Sequence, residues 1–185
     1  NINVQIFLTV FVALIGLSTY FVVSSYNNAV EQEERNVLKW LKAITNTAAL
    51  EIDGDQHQRM FERYAEKDAI ANIDQDPDYY AIHETLRKVV EANDLHSPLY
   101  TAVFKKETNE FLMAAHSSDE VYFKHAYTTY PQQVEDHYTE GAVIPRYDDT
   151  FDSWLSAFTP LVNESGEVVA IIQADVTFNE FLAVT

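Results

Sequence analysis

Residues Ser153–Leu161 read SWLSAFTPL and residues Val168–Asp175 read VVAIIQAD, with Asn163-Glu164-Ser165-Gly166 between them. A polar turn containing Gly between two short apolar runs predicts a β-hairpin. Alternation then sorts the side chains. Trp154, Ser156 and Phe158 share one face of the first strand, and Leu155, Ala157 and Thr159 take the other. On the second strand Val169, Ile171, Gln173 and Asp175 share a face. Both strands are apolar on two faces, so the hairpin belongs in a sheet covered on both sides. Gln173 and Asp175 interrupt that apolar run, and a buried amide or carboxylate needs a partner, either from the protein or from a ligand.

Upstream, Leu99–Phe104 (LYTAVF) and Phe111–Ala115 (FLMAA) also alternate with period two and flank a polar connection, Lys105 to Glu110. The stretch 116–150, rich in Tyr, His and acid and carrying Pro131 and Pro145, reads as irregular. Before Pro98 the period is helical. Asp76-Pro77 is an N-cap followed by Pro at the first helical position, opening a helix with Tyr79, Ile82, Leu86, Val89 and Val90 on its apolar face. A further helical block runs through Met60, Phe61 and Tyr64. Val30, Val37, Leu41, Ile44, Ala48 and Ile52 recur at helical spacings as one apolar stripe. This stripe serves to cover the sheet, to seam against a twin helix, or both at different heights. Gly54 reads as the C-cap that ends it.

No charged residue occurs before Glu31, and Ile6–Val23 reads IFLTVFVALIGLSTYFVV. As a helix this run spans roughly 27 Å, close to the hydrocarbon thickness of a bilayer. A cleaved signal sequence is the alternative, with Ser24 and Ser25 imitating a small-residue cleavage site, but such cores are shorter. With no Gly or Pro between Leu17 and Ile52, the membrane helix is expected to run unbroken into the stripe-bearing one. At the far end, Thr177-Phe178-Asn179-Glu180 has the form of a capping box that starts a last helix.

Composition removes several function classes. Twelve Lys+Arg against 29 Asp+Glu give a formal charge of −17, which opposes nucleic-acid binding through clustered cations. The absence of Cys excludes disulfides, Fe–S clusters and a cysteine nucleophile. His57, His83, His96, His116, His125 and His137 form neither an HExxH nor an i, i+4 pair on one helix. Asp53-Gly54-Asp55 and Asp74-Gln75-Asp76-Pro77-Asp78 begin like calcium loops, but the sixth positions are Gln58 and Tyr79 instead of Gly, and helix capping accounts for the acids. No phosphate loop or GxSxG elbow occurs among four glycines. Neither a cofactor, a metal nor a catalytic residue is expected.

A membrane helix, a stalk helix, shorter helices and an antiparallel sheet, in that order, resemble an extracytoplasmic PAS-like sensor domain of the single-Cache type. The residues carrying the resemblance are Ser156-Ala157-Phe158-Thr159-Pro160-Leu161-Val162 and Gly166 to Val176, with Ile52 to His57, Pro77, Tyr80, Asn93, Tyr100 and Thr101 in support. It covers nearly all of 27–182, and Ala170 stands where the family usually has Gly. The expected fold class is α+β. Residues 1–26 form a transmembrane helix and 27–182 the sensor domain, divided into a stalk (27–52), a helical part (53–98) and a sheet with a long loop (99–176). Residues 177–185 start a helix leading to a second span. The resemblance implies small-molecule sensing (a carboxylate, an amino acid or an amine) outside the cytoplasmic membrane. It also implies a kinase, chemoreceptor or nucleotide-cyclase output beyond this segment, while the apolar stripe of the stalk predicts a homodimer joined along that helix. The alternative is an acidic protein-interaction module recruiting a periplasmic partner.

The candidate ligand-binding residues are Arg146, Trp154, Ser156, Asp175, Tyr127, Gln173 and Tyr147. Arg146 is the single Lys or Arg after Lys124, and a lone guanidinium suits a carboxylate unless Asp148, Asp149 or Asp152 neutralises it. Asp175 either orients the end of its strand or meets the ligand; Trp154 either fills the core or forms a platform. Tyr127, Tyr130 and Tyr147 either contribute hydroxyls and ring faces or pack the long loop down.

Overall fold

The computed structural model describes residues 2–178 and residue 181. An unbroken helix, α1 (Ile2–Glu51), is followed by α2 (Gly54–Arg63), α3 (Pro77–Ala92), β1 (Leu99–Lys105), β2 (Glu110–His116) and β3 (Ala126–Tyr127). The chain continues through α4 (Gln132–Asp136), β4 (Ala142–Asp148), β5 (Ser153–Val162) and β6 (Val168–Thr177). The strands form one six-stranded antiparallel sheet in the order β3-β2-β1-β6-β5-β4. This is the expected α+β architecture. The stretch expected to be irregular contains more structure than its sequence announces: β3, α4 and the edge strand β4 all lie within it. Pro145 and Arg146 fall in a register shift between Ile144 and Tyr147, and a proline and a bulge are tolerated on an edge.

The two sheet faces have different partners. Leu155, Ala157 and Leu161 of β5, Ala170, Ile172 and Ala174 of β6 and Leu99 of β1 face the helices, where they meet Leu38, Leu41, Ile44, Ala48 and Ile52 of α1 and Tyr79, Ile82 and Leu86 of α3. Each Leu or Ile among them contributes roughly 1.5–3 kcal/mol on burial. The α1 stripe is therefore consumed by the molecule's own sheet from Leu38 to Ile52, which corrects its expected use as a dimer seam over that length. The opposite face carries Ala102, Phe111, Ile144, Phe158 and Ile171, which pack with Val134 of α4 and with Phe104, Tyr127, Tyr130, Tyr138 and Tyr147.

Capping works as the acids predict, with one change. Asp53 accepts from the N–H groups of Asp55 and Gln56 and so caps α2. Gly54 is thus the first residue of α2, not the C-cap of α1, and glycine is required because a Cβ there would lie 2.1 Å from the Val162 carbonyl oxygen. Asp76 caps α3 through Asp78 N and Tyr79 N, accepts from Tyr64 OH and pairs with Arg63. Burial alone would raise its carboxyl, but the Tyr79, Tyr64 and Arg63 hydrogen bonds hold it below the usual range. The capping box predicted at 177–180 lies partly outside the described residues, as does the rest of the helix expected over 177–185.

Residues Ile6 to Val23 of α1 project their side chains away from the sheet, with Phe7 70% and Leu8 60% exposed. By length and composition this part of α1 can cross a membrane. Exposed apolar surface on this scale requires lipid or a partner.

Candidate functional site

The site forms where β5 and β6 pair. Their register puts Ser156 opposite Asp175 and Phe158 opposite Gln173, while β1 places Tyr100 on the other side of Gln173. Alternation aims Ser156, Gln173, Asp175 and Tyr100 at the face away from α1. Tyr127 reaches in from β3 and Tyr147 from β4.

The Asp175 carboxylate is the hub. Ser156 Oγ donates to Oδ1 at 2.5 Å, Gln173 Nε2 to Oδ1 at 2.9 Å and Tyr100 OH to Oδ2 at 2.8 Å. Because Ser156 commits its proton to the carboxylate, Tyr147 OH, 2.9 Å away, donates to Ser156. Tyr127 OH accepts from Gln173 Nε2 at 2.8 Å and lies 3.2 Å from Tyr100 OH. Every direct contact to Asp175 comes from a neutral donor. Among the described residues no Lys, Arg or His pairs with it. Burial therefore prevails and raises the Asp175 carboxyl above its ordinary value, even though the Ser156, Gln173 and Tyr100 hydrogen bonds oppose the shift. Burial likewise raises Tyr100 and Tyr127, with the Asp175 charge adding to it, and Tyr147 follows for the same reasons.

Two buried polar atoms on this face remain unpaired: Gln173 Oε1, an acceptor, and Trp154 Nε1, a donor. Trp154 Nε1–H closes no hydrogen bond, although its proximity helps to depress the Asp149 carboxyl. Partial burial raises that carboxyl, whereas the N–H groups of Asp152 and Phe151 lower it further than Trp154 does. Orphaned polar atoms in an enclosed site cost free energy and are expected where a ligand completes them.

Six of the seven candidate residues thus lie on one face: Trp154, Ser156, Asp175, Gln173, Tyr127 and Tyr147. Arg146 lies apart from them. Beside the bulge it projects to the opposite side of β4 from Tyr147, is solvent-exposed, stacks its guanidinium 3.9 Å from the Phe178 ring centre and donates to Ser153 Oγ at 3.3 Å. Its backbone N–H reaches Glu34 of α1. The neutralisation by Asp148, Asp149 or Asp152 weighed from sequence is not made either; among the described residues Arg146 forms no ion pair. Tyr100 is the member that sequence reasoning missed. Its alternation within LYTAVF was legible, but its place beside Gln173 follows from the non-local pairing of β1 with β6.

The described grooves open elsewhere. One of about 650 Å³ lies between α2 and the diverging ends of β1 and β6, where pairing stops at Ala102 and Ile171. Another of about 420 Å³ runs between Trp40 of α1 and Leu95. Neither is lined by Asp175. Among the described residues no cluster of three His, Asp or Glu is arranged to hold a metal.

No family model matches the chain, and no curated protein matches it. Among solved structures it is similar to the sensor domain of DcuS from E. coli, with a TM-score of 0.54 and 11% identity over 82% of this chain and 96% of that one. The chain has the fold of a Cache-type, PAS-like sensor domain. Two chemoreceptor domains also align, at lower scores. That of PctC from Pseudomonas aeruginosa, an amino acid chemoreceptor in complex with GABA, gives a TM-score of 0.45 and 15% identity over 87% of this chain. That of Tlp3 from Campylobacter jejuni, in complex with L-norvaline, gives 0.44 and 10% identity over 83%. The chain spans 63% of each of those two domains.

Proposed function

We propose that this chain is the extracytoplasmic sensing part of a membrane-anchored receptor and that it binds a small molecule bearing a protonated amine at the Asp175 cluster. The observation that carries this reading is a carboxylate enclosed by neutral donors beside the unpaired Gln173 Oε1. An ammonium group supplies the missing charge and donates to both acceptors, and the Tyr100, Tyr127 and Tyr147 rings offer π faces to it. Trp154 Nε1–H remains available for an acceptor elsewhere on the ligand, which favours an amino acid over a simple amine. The sensor-domain fold shared with DcuS supports a sensing role.

Tyr100, Ser156 and Gln173 are buried while Asp175, Tyr127, Tyr147 and Trp154 stay partly exposed, and fuller entry requires the loop carrying Tyr127 and Tyr130 to move aside. A cluster filled by its own side chains is also what an acidic protein-docking module would present, and ligand screening separates the two. Thermal unfolding of the full chain in detergent, against GABA, α-amino acids, alkylamines and dicarboxylates, is the test. Stabilisation grows as RT ln(1 + [L]/Kd), about 2.7 kcal/mol at a hundredfold excess over Kd. Amines and amino acids are expected to raise the midpoint. Stabilisation by dicarboxylates alone would overturn the amine assignment, and silence across the panel would favour the docking module.

The apolar part of α1 fits an anchor in the inner membrane with the sheet on the periplasmic side, under the domain division 1–26, 27–182 and 177–185. The homodimer then uses the outward face of α1, where Trp40, Ala43, Thr47 and Leu50 recur at three- and four-residue spacing and Leu50 is 86% exposed. The output of such a receptor, whether kinase, chemoreceptor or cyclase, lies outside these residues.

A further inference from the structure

Besides the exposed hydrogen bond from the Arg146 backbone N–H to Glu34, the contact between α1 and the sheet has one polar cluster, set within its apolar length. Lys42 Nζ donates to the Phe158 carbonyl at 2.6 Å and to Thr159 Oγ1 at 3.1 Å. Thr45 Oγ1 lies 2.8 Å from Thr159 Oγ1, and Thr159 Oγ1 is also 2.8 Å from Asn46 Oδ1. Lys42, Thr45 and Asn46 stand at i, i+3 and i+4, so one turn of helix grips one residue pair of β5. Gly141, just before β4, makes room for the grip. Its φ is +75°, and a Cβ there would lie 2.5 Å from Lys42 Nζ and 2.7 Å from the Phe158 carbonyl oxygen. The lysine has no acidic partner among the described residues, and partial burial lowers its pKa. A salt bridge is thus not the purpose of the contact; the geometry is.

The gripped pair sits back to back with the ligand face. Phe158 turns its side chain into the core of the Asp175 face while its carbonyl holds Lys42, and Ser156, two residues earlier, bonds Asp175. Beyond the far end of α1, Gly54 is pressed against the Val162 backbone, a second fixed point. Apolar contacts keep a helix on a sheet but tolerate sliding and tilting, whereas a bifurcated charge-assisted hydrogen bond at 2.6 Å does not.

We propose that α1 is a lever pivoting where Gly54 meets Val162, and that the Lys42 grip on Phe158 and Thr159 is the point at which the sensor sheet sets its angle. From Gly54 to Lys42 is roughly 18 Å along a helix, and from Gly54 to Val23, where the apolar run ends, is roughly 47 Å. A shift at the grip is therefore multiplied about 2.6-fold at the membrane boundary. No Gly or Pro between Leu17 and Ile52 kinks the arm, so the motion is not lost along it. Only the use of this lever for signalling rests on the ligand-sensing reading. The lever itself is a property of the ligand-free molecule and is tested there.

The chain has no cysteine, so nitroxides can be placed at will. In nanodiscs, one pair at Asn28 and Val143 reports the far arm, and a second at Glu51 and Ser165 reports the pivot. Distances by double electron–electron resonance are compared among the parent, Lys42→Met and Gly141→Ala, the last leaving the lysine in place but filling its space. In both variants the Asn28–Val143 distance is expected to shift by about 2–3 Å or to broaden by as much, while Glu51–Ser165 stays within about 1 Å. An unchanged far pair in variants with intact circular dichroism overturns the grip. Equal displacement of both pairs overturns the pivot. Should Lys42→Met fail to fold, Thr159→Val removes one of the two acceptors of the grip, together with the Thr45 and Asn46 contacts to Thr159 Oγ1, and decides between these outcomes.

Discussion

Lowering the pH should unlock the helical half of the domain through His57. The imidazole is fully buried between α2 and β1, with Nε2 2.9 Å from Thr101 Oγ1 and Nδ1 unpaired. Burial lowers its pKa from 6.5 to about 4. The folded value lies below the unfolded one, so the unfolded chain takes up the proton first. Stability is full above pH 6.5 and is lost as the pH falls from there towards 4. The difference of 2.5 between these values, at about 1.4 kcal/mol per unit, gives roughly 3.4 kcal/mol in all, of which about 2 kcal/mol is lost by pH 5. For a domain of this size that is about 4–8 °C in Tm. The assay is thermal unfolding in detergent at pH 7 and pH 5 for the parent and for His57→Gln, which keeps an amide within reach of Thr101. The parent should lose several degrees more than the variant on acidification. His116, also lowered to about 4 mainly by burial, and Asp175, displaced the other way, act in both proteins and cancel in the comparison. An identical pH response in the two would show that His57 is not buried neutral and would remove the basis for the argument.

Three further outcomes follow from the packing. Asp175→Asn should raise the urea midpoint of the ligand-free protein at pH 7, because the raised pKa marks a charge that burdens the fold as pH rises through it; the advantage should shrink towards pH 4, and a loss at pH 7 would contradict it. Leu41→Ala, at a fully buried position beneath the sheet, should cost about 2–5 kcal/mol in chemical denaturation. Leu50→Ala, on the exposed side of the same helix, should stay within about 0.5 kcal/mol in the monomer, and comparable losses at both positions would mean that the wrong face has been assigned to the sheet. Asp76→Ala should cost at least about 1–2 kcal/mol, since it removes the α3 cap and leaves Arg63 with Asp78 alone; retention of full stability would deny the cap its role.

How far the sequence could be read depended on the range of the interactions involved. Ser156 and Asp175 were found because each is a polar intrusion in an apolar strand and because a hairpin fixes its own register, so local pattern and local pairing sufficed. Tyr100 escaped because its neighbour Gln173 is brought to it by the pairing of β1 with β6, which no local signal encodes. The edge strand β4 escaped because Pro145 and the Arg146 bulge erase the alternation that defines a strand. Arg146 itself stands out in the sequence because it is alone in an acidic stretch. Isolation of charge says nothing about direction, and at the bulge the side chain turns to Phe178 instead of the cluster. The α1 stripe was legible in full as periodicity, but period alone does not say whether a sheet or a twin helix covers it.

The central claim, that Asp175 and its neighbours receive a protonated amine, is tested most directly by calorimetric titration of the full chain in detergent with GABA, α-amino acids and alkylamines, repeated on Asp175→Asn. The account predicts saturable one-to-one binding of at least one member of this set, weakened at least tenfold by the substitution while the variant remains folded. Binding that survives Asp175→Asn undiminished, or no binding of any amine at millimolar concentration, would contradict it.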